Sequence, residues 1–185
     1  MQLANRRFHG RVLSVGRLIG RRHSVLPLMS VLAILGVTRG LSDGSIVHQA
    51  THTLRVHSPG RGLHEITQEV RGWVAAQNLR TGLLTLFCRH TSASLLIQEN
   101  AAREVRSDLE AFFEQLAPED PSRYAHDDEG PDDMPAHLRT ALTQVQLSIP
   151  VTDGQLALGT WQGIYLFEHR RRAHEREIVL HLLGE

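Results

Sequence analysis

Between His126 and His137 the chain reads His-Asp-Asp-Glu-Gly-Pro-Asp-Asp-Met-Pro-Ala-His. Gly130, Pro131 and Pro135 keep this backbone out of regular structure, because proline fixes φ and lacks an N–H while glycine favours turns. Pro118 to Met134 therefore reads as one long loop, and loops of that length in compact domains are usually functional or disordered. Two imidazoles bracket five carboxylates here. Neutral imidazole together with carboxylate is what a divalent metal or a proton-transfer site needs. The plainer alternative is an acidic, solvated surface loop.

The elements on either side of that loop define the fold class. Ala50 to His57 alternates and is rich in β-formers, which predicts a strand. Ser58-Pro59-Gly60 makes a turn. Thr67 is placed to cap a helix whose Ile66, Val70, Trp73 and Val74 share a face. Leu83 to Phe87 predicts a buried strand, and Leu95 to Ile97 resumes the apolar pattern. Val105, Leu109, Phe112, Phe113 and Leu116 stripe a second helix. Pro135 can open a short third helix through Leu142, with His137 in its first turn. After it, Val145–Val151 and Gln155–Leu158 flank the hairpin signal Asp153-Gly154. Thr160–Glu168 and Glu177–Leu183 complete the pattern. The order predicts a single compact α+β domain with a largely antiparallel sheet, two main helices and a short third.

Residues 1–46 differ. Seven arginines, from Arg6 to Arg39, face one acid, Asp43. The apolar run Val25–Val37 is broken by Pro27 and is too short to span a membrane. Basic residues before an apolar run suggest a secretory signal, including the twin-arginine type, yet no Ala-x-Ala cleavage site follows. The preferred reading is an N-terminal extension, disordered or arising from an upstream start. The domain then covers 47–185.

Composition narrows the chemistry. All 20 basic residues are arginine and the formal charge is +0. Without lysine there is no Schiff-base lysine, Ser-Lys dyad or Walker-type phosphate loop. The zero net charge argues against a nucleic-acid partner. Cys88 is the only cysteine, so no internal disulfide and no thiolate zinc cage can form.

Several other positions could carry chemistry. His90 lies among Arg89, Thr91, Ser92 and Ser94 at a strand end, as ligand, base or structural residue. Ser92 and Ser94 lack a Gly-x-Ser-x-Gly context and read as hydrogen-bonding hydroxyls. Cys88 reads as inert packing. Trp161 and Gln162, between Gly159 and Gly163, suggest a pocket wall or close backbone packing. Arg170-Arg171-Arg172 reads as a solvated turn, with phosphate binding as the alternative. His126 and His137 are too far apart for one helix face, so a shared metal requires the loop to fold back.

Taken together, His90-Thr91-Ser92-Ala93-Ser94-Leu95, Glu99-Asn100, Asp108-Leu109-Glu110, His126 with Glu129-Gly130, Asp132-Asp133-Met134-Pro135 with His137, and Leu158-Gly159-Thr160-Trp161-Gln162-Gly163 resemble the YjbQ-like family. Members of that family are often labelled secondary thiamine-phosphate synthases. The resemblance covers roughly 47–185 in collinear order. After Glu99-Asn100 the family commonly has an acid and a proline. Here Ala101-Ala102-Arg103 follows, and Asn100 can take over the helix cap.

The resemblance implies a cytoplasmic homotrimer acting on a small phosphorylated substrate. It implies that His90, His126 and His137 converge around a divalent metal, magnesium or zinc. The implied reaction joins hydroxymethylpyrimidine pyrophosphate to thiazole phosphate and releases pyrophosphate. His90, His126, His137 and Glu129 are then the catalytic candidates. Arg89, Thr91, Ser92, Ser94, Asn100, Asp132, Asp133, Trp161 and Gln162 are the substrate-binding ones. Two other readings stay open: a non-catalytic metal- or anion-binding trimer, and metal-assisted hydrolysis.

Overall fold

The computed structural model describes residues 47–185. The extension at 1–46, and the signal-peptide alternative for it, lie outside the described residues. Eight strands and three helices follow in order: β1 His48–Ser58, β2 Gly62–Glu65, α1 Thr67–Ala76, β3 Gly82–Cys88, β4 Ala93–Glu99, α2 Arg103–Leu116, α3 Asp133–Leu142, β5 Gln146–Thr152, β6 Gln155–Leu156, β7 Gln162–Glu168 and β8 His174–Gly184. One short 3-10 turn, Pro121–Arg123, interrupts the long loop.

The strands form two sheets, β1-β8-β3-β5-β6 and β2-β7-β4, and every pairing is antiparallel. The α+β expectation is borne out. The alternation in β3 and β8 explains the larger sheet. Leu84, Leu86, Ile178, Leu180 and Leu182 point inward and are fully buried, while Leu83, Phe87 and Leu183 face out. Each such inward side chain contributes about 1.5–3 kcal/mol relative to exposure. They join Leu95, Ile164 and Leu166 of the smaller sheet and Val70 and Val74 of α1 in one core. The hairpin signal is also realised. Asp153 and Gly154 both take positive φ, 50° and 76°, as a two-residue hairpin loop requires.

Strand β7 is central in its sheet and covered on both faces, which is why its residues from Gly163 to Glu168 are all buried. Ile164 and Leu166 enter the main core. Tyr165 and Phe167 form a second cluster with Leu63, against which Leu109 and Phe113 of α2 pack. A Cβ at Gly163 would come within about 3.0 Å of the Glu65 and Tyr165 side chains, so anything larger than glycine needs those neighbours to shift.

Four local expectations are corrected. Thr67 does not cap α1. It is the first helical residue, and its hydroxyl donates to Glu65 (2.8 Å) and accepts the Ile164 N–H (2.9 Å). Asn100 does not cap α2, which begins after Ala102 without a side-chain cap. The apolar stripe of α2 is only half covered: Leu109 and Phe113 pack inward, but Phe112 and Leu116 stay exposed. Finally, α3 starts two residues earlier than Pro135, which moves His137 to its second turn.

Candidate metal centre

The acidic stretch folds back on itself, and α3 does the folding. Asp133 and His137 are four residues apart, so they share a face of that helix. His137 Nε2 lies 3.5 Å from Asp133 Oδ1. His126 approaches from the preceding loop, with Nε2 2.8 Å from Asp133 Oδ2. The two imidazole centroids are 5.6 Å apart. One ligand atom from each of His126, Asp133 and His137 lies within 4.8 Å of the others.

Two details of this trio bear on whether it could hold a cation. First, Asp133 is 2 % exposed, yet its Oδ2 has no hydrogen-bond partner. His126 Nε2 stands 2.8 Å from it but is not aligned as a hydrogen bond. A buried carboxylate oxygen without a partner is costly unless a cation completes it. Second, His137 Nδ1 donates to the carbonyl of Thr91 at 2.9 Å. That bond leaves the Nε2 lone pair turned to the cluster, the orientation a metal ligand needs.

Arg170 supports the trio from behind. Its Nη1 donates to Asp133 Oδ1 and to Glu129 Oε2 (3.0 Å), its Nε to Asp132 Oδ2 (3.3 Å), and its Nη2 to the Glu129 carbonyl (2.8 Å). The backbone N–H of Arg171 adds a second donor to Asp132 Oδ2 at 2.8 Å. Burial works to raise the Asp132 carboxyl, but the Arg171 N–H and the Arg170 charge outweigh it and hold it below its ordinary value. The arginine triplet is therefore no solvated turn at its first position. Arg170 is buried and spent on carboxylates, while Arg171 and Arg172 are exposed.

The other expected site residues separate into three groups. His90 stands apart from the cluster. Its Nε2 accepts the Glu177 N–H at 2.8 Å, which puts the ring proton on Nδ1, facing Arg176 at 3.4 Å. Burial, then the Arg176 charge, push its pKa down, so it stays neutral. His90 does share a cavity of about 750 Å³ with Arg89, Thr91 and His137, walled otherwise by apolar or small groups such as Phe87, Ala141 and Val145. Arg89 is paired with Glu177 at 3.0 Å. His126 lines a separate cavity of about 290 Å³ with Tyr124 and Pro131.

Ser92 and Ser94 belong to a buried network behind the site. Ser92 Oγ accepts from Arg176 Nη2 at 3.2 Å, and Arg176 also grips Glu168 through Nε (2.7 Å) and Nη2 (2.6 Å). Ser94 Oγ is 2.9 Å from His169 Nε2, and both residues are fully buried. Burial, then Arg139, push the His169 pKa down to about 3. Cys88 is buried as expected, and burial pushes its thiol up to about 11.

Asn100, Trp161 and Gln162 lie elsewhere. They cluster at the start of β7, where the Asn100 N–H donates to the Trp161 carbonyl at 3.0 Å. Arg170 follows the other end of that strand, about 20 Å along an extended chain. Within one chain they do not line the metal cluster.

A family model described as UPF0047 protein YjbQ-like matches residues 52–185. The chain belongs to the YjbQ-like UPF0047 family. A UPF0047 protein of Synechocystis is 48 % identical over 145 residues, which cover 78 % of this chain and 99 % of that one. The UPF0047 protein YjbQ of Salmonella typhimurium is 44 % identical over 134 residues, covering 72 % and 96 %. Among solved structures, a conserved hypothetical protein from Thermus thermophilus superposes with a TM-score of 0.62 at 34 % identity, covering 70 % of this chain and 97 % of that one. A YbjQ-like protein of unknown function from Sulfolobus solfataricus gives 0.67 at 25 % identity, covering 75 % and 100 %. The YjbQ resemblance read from the motifs is thus confirmed.

The thiamine-phosphate synthase expectation is corrected. These UPF0047 relatives are named by family alone, and the Sulfolobus protein is described as one of unknown function. The geometry agrees. Glu129, the catalytic candidate, and Asp132 and Asp133, the substrate-binding ones, are already paired with Arg170. Among the described residues, no helix is long and apolar enough to cross a membrane.

Proposed function

We propose that this UPF0047 protein binds one divalent metal ion through His126, Asp133 and His137. The observation that carries the reading is the buried Asp133 carboxylate between two imidazoles, its Oδ2 beside His126 without a hydrogen-bond partner among the described residues and its Oδ1 3.5 Å from His137 Nε2. The donor set of two nitrogens and one carboxylate suits zinc or a similar transition metal better than magnesium, which prefers oxygen ligands. Three protein ligands is the number found in catalytic rather than closed structural zinc sites. The bound ion would supply Lewis-acid polarisation to a water or to an oxygen of a small anionic ligand.

The chain's own residues do the rest. Thr91 fixes the His137 tautomer, and Arg170 fixes the carboxylate. The cavity shared by His137 and His90 gives a ligand room beside the ion. A homotrimer in the cytoplasm belongs to the same reading. It is supported by the exposed Leu83, Phe87 and Leu183 on the outer face of the larger sheet, and by a lone buried cysteine.

The test is metal stoichiometry. Purified chain should take up one zinc per protomer in a competition titration. Asp133→Asn and His137→Ala should each lose it while keeping the wild-type circular dichroism spectrum. Wild-type zinc affinity in both variants would end the proposal.

A further inference from the structure

Arg139 leaves α3 on a different face from Asp133 and His137, and it is buried to 1 % exposure. Its Nη2 donates to the Ala117 carbonyl at 2.8 Å, but its Nε has no partner. It forms no ion pair with any carboxylate among the described residues. It lines a cavity of about 200 Å³ together with Arg61, Glu114, Pro118, Glu119 and Arg171. We propose that this cavity is an anion site that holds a phosphate-sized oxyanion against Arg139, separate from the metal centre.

The charge balance favours an anion. Three guanidinium groups face two carboxylates. Glu119 is paired with Arg61 and Arg171, although its Oε2, 2.6 Å from Arg171 Nη2, is not aligned as a hydrogen bond, and Glu114 holds Arg61 at 3.1 Å. One positive charge is left over, and it falls on the guanidinium with least access to water. Burial, then the neighbouring Arg61, push the Arg139 pKa down, the response of a cation whose counter-charge is incomplete. Breaking even with desolvation requires a paired anion with good geometry.

Size fixes the class. The cavity is smaller than the about 300–1,000 Å³ of sites for drug-sized ligands. It has room for a free oxyanion or for the terminal phosphoryl group of a longer molecule. Guanidinium forks match that geometry better than any other side chain. Glu119 keeps Arg61 and Arg171 in place and at the same time limits how tightly an anion is held.

The experiment is calorimetric titration of the chelator-treated full chain with inorganic phosphate, at constant ionic strength against chloride. Saturable phosphate binding is expected in the wild type, and because the chelator strips any bound metal, such binding does not run through the metal cluster. Arg139→Met should weaken it by about tenfold or more. Arg171→Met, whose side chain is largely exposed and so spares the core, should weaken it as well. Glu119→Gln should tighten it, since it removes a competing negative charge. Glycerol 3-phosphate as a second probe separates the sources: tighter binding than phosphate indicates a phosphoryl group of a larger ligand, equal or weaker binding a free anion. No saturable heat up to about 10 mM phosphate in the wild type, or wild-type binding in both arginine variants, overturns the proposal.

Discussion

Arg170 and His126 meet opposite oxygens of the same carboxylate. The guanidinium holds Asp133 Oδ1, and the imidazole Nε2 stands 2.8 Å from Oδ2. One oxygen is thereby fixed by charge and the other is left directed into the cluster. Arg170 is the residue through which the rest of the fold controls the candidate metal.

Arg170→Met should therefore do two things. It strands Asp132 and Asp133 without their cation, at a cost of about 3–5 kcal/mol of stability, as for other buried pairs broken from one side. It should also lower metal affinity by about 10–100-fold, the usual effect of losing a supporting contact behind a ligand. Urea unfolding and a zinc competition assay read the two separately. A stable variant with unaltered zinc affinity would show that Arg170 does neither.

His90→Ala should leave zinc uptake at the wild-type stoichiometry, whereas His126→Ala should abolish it. The sequence makes the two histidines look equivalent, but only one stands beside Asp133. Elemental analysis of the purified variants decides it.

The pH dependence of stability should carry a His169 component. Its folded pKa is depressed to about 3 from an ordinary 6.5, so the unfolded chain binds this proton first. The neutral, buried ring is thus fully accommodated above about pH 6.5, and stability falls as pH drops from there towards 3. His169→Gln removes that component. The slope of melting temperature against pH between 4 and 6.5 should be shallower in the variant, and equal slopes would refute the assignment.

Phe87→Asp combined with Leu183→Asp places charge on the outer face of the larger sheet without touching the core. Light scattering should show a smaller assembly than the wild type, if that face carries the proposed subunit contact. Zinc uptake by the separated chain should persist, because all three proposed ligands come from one protomer.

Much of this was legible in the residues, for physical reasons. Period-2 alternation located β1, the apolar run Leu83–Phe87 located β3, and Asp153-Gly154 marked the β5–β6 hairpin, because those signals are local. The density of carboxylate between two imidazoles pointed at His126 and His137. The exchange of His90 for Asp133 was less visible. His90 looks like a ligand among polar neighbours, and only the pairing of β8 brings the Glu177 N–H to occupy its Nε2. The Asp133–His137 spacing was readable as one helix face, but only once α3 is known to start before Pro135. Arg170 was hidden among three identical residues. What distinguishes it is the end of β7, which turns the first arginine inward and leaves the next two in water. Trp161 and Gln162 do wall a cavity, of about 540 Å³ with Ile97 and Glu99, but it is not the one beside the metal cluster. A motif close in sequence to the site residues lies a whole strand away from them.

Glu168, His169 and Arg170 reach three different destinations in succession: Arg176, Ser94 and the paired aspartates. They can arrive there only after β7 has docked between β2 and β4. Until that moment Arg170 is not in place to offset the repulsion of the five acids in the seven residues 127–133. A metal held by His126, Asp133 and His137, as proposed, would on this geometry be captured after that docking. Zinc uptake during refolding would time the closure of the smaller sheet.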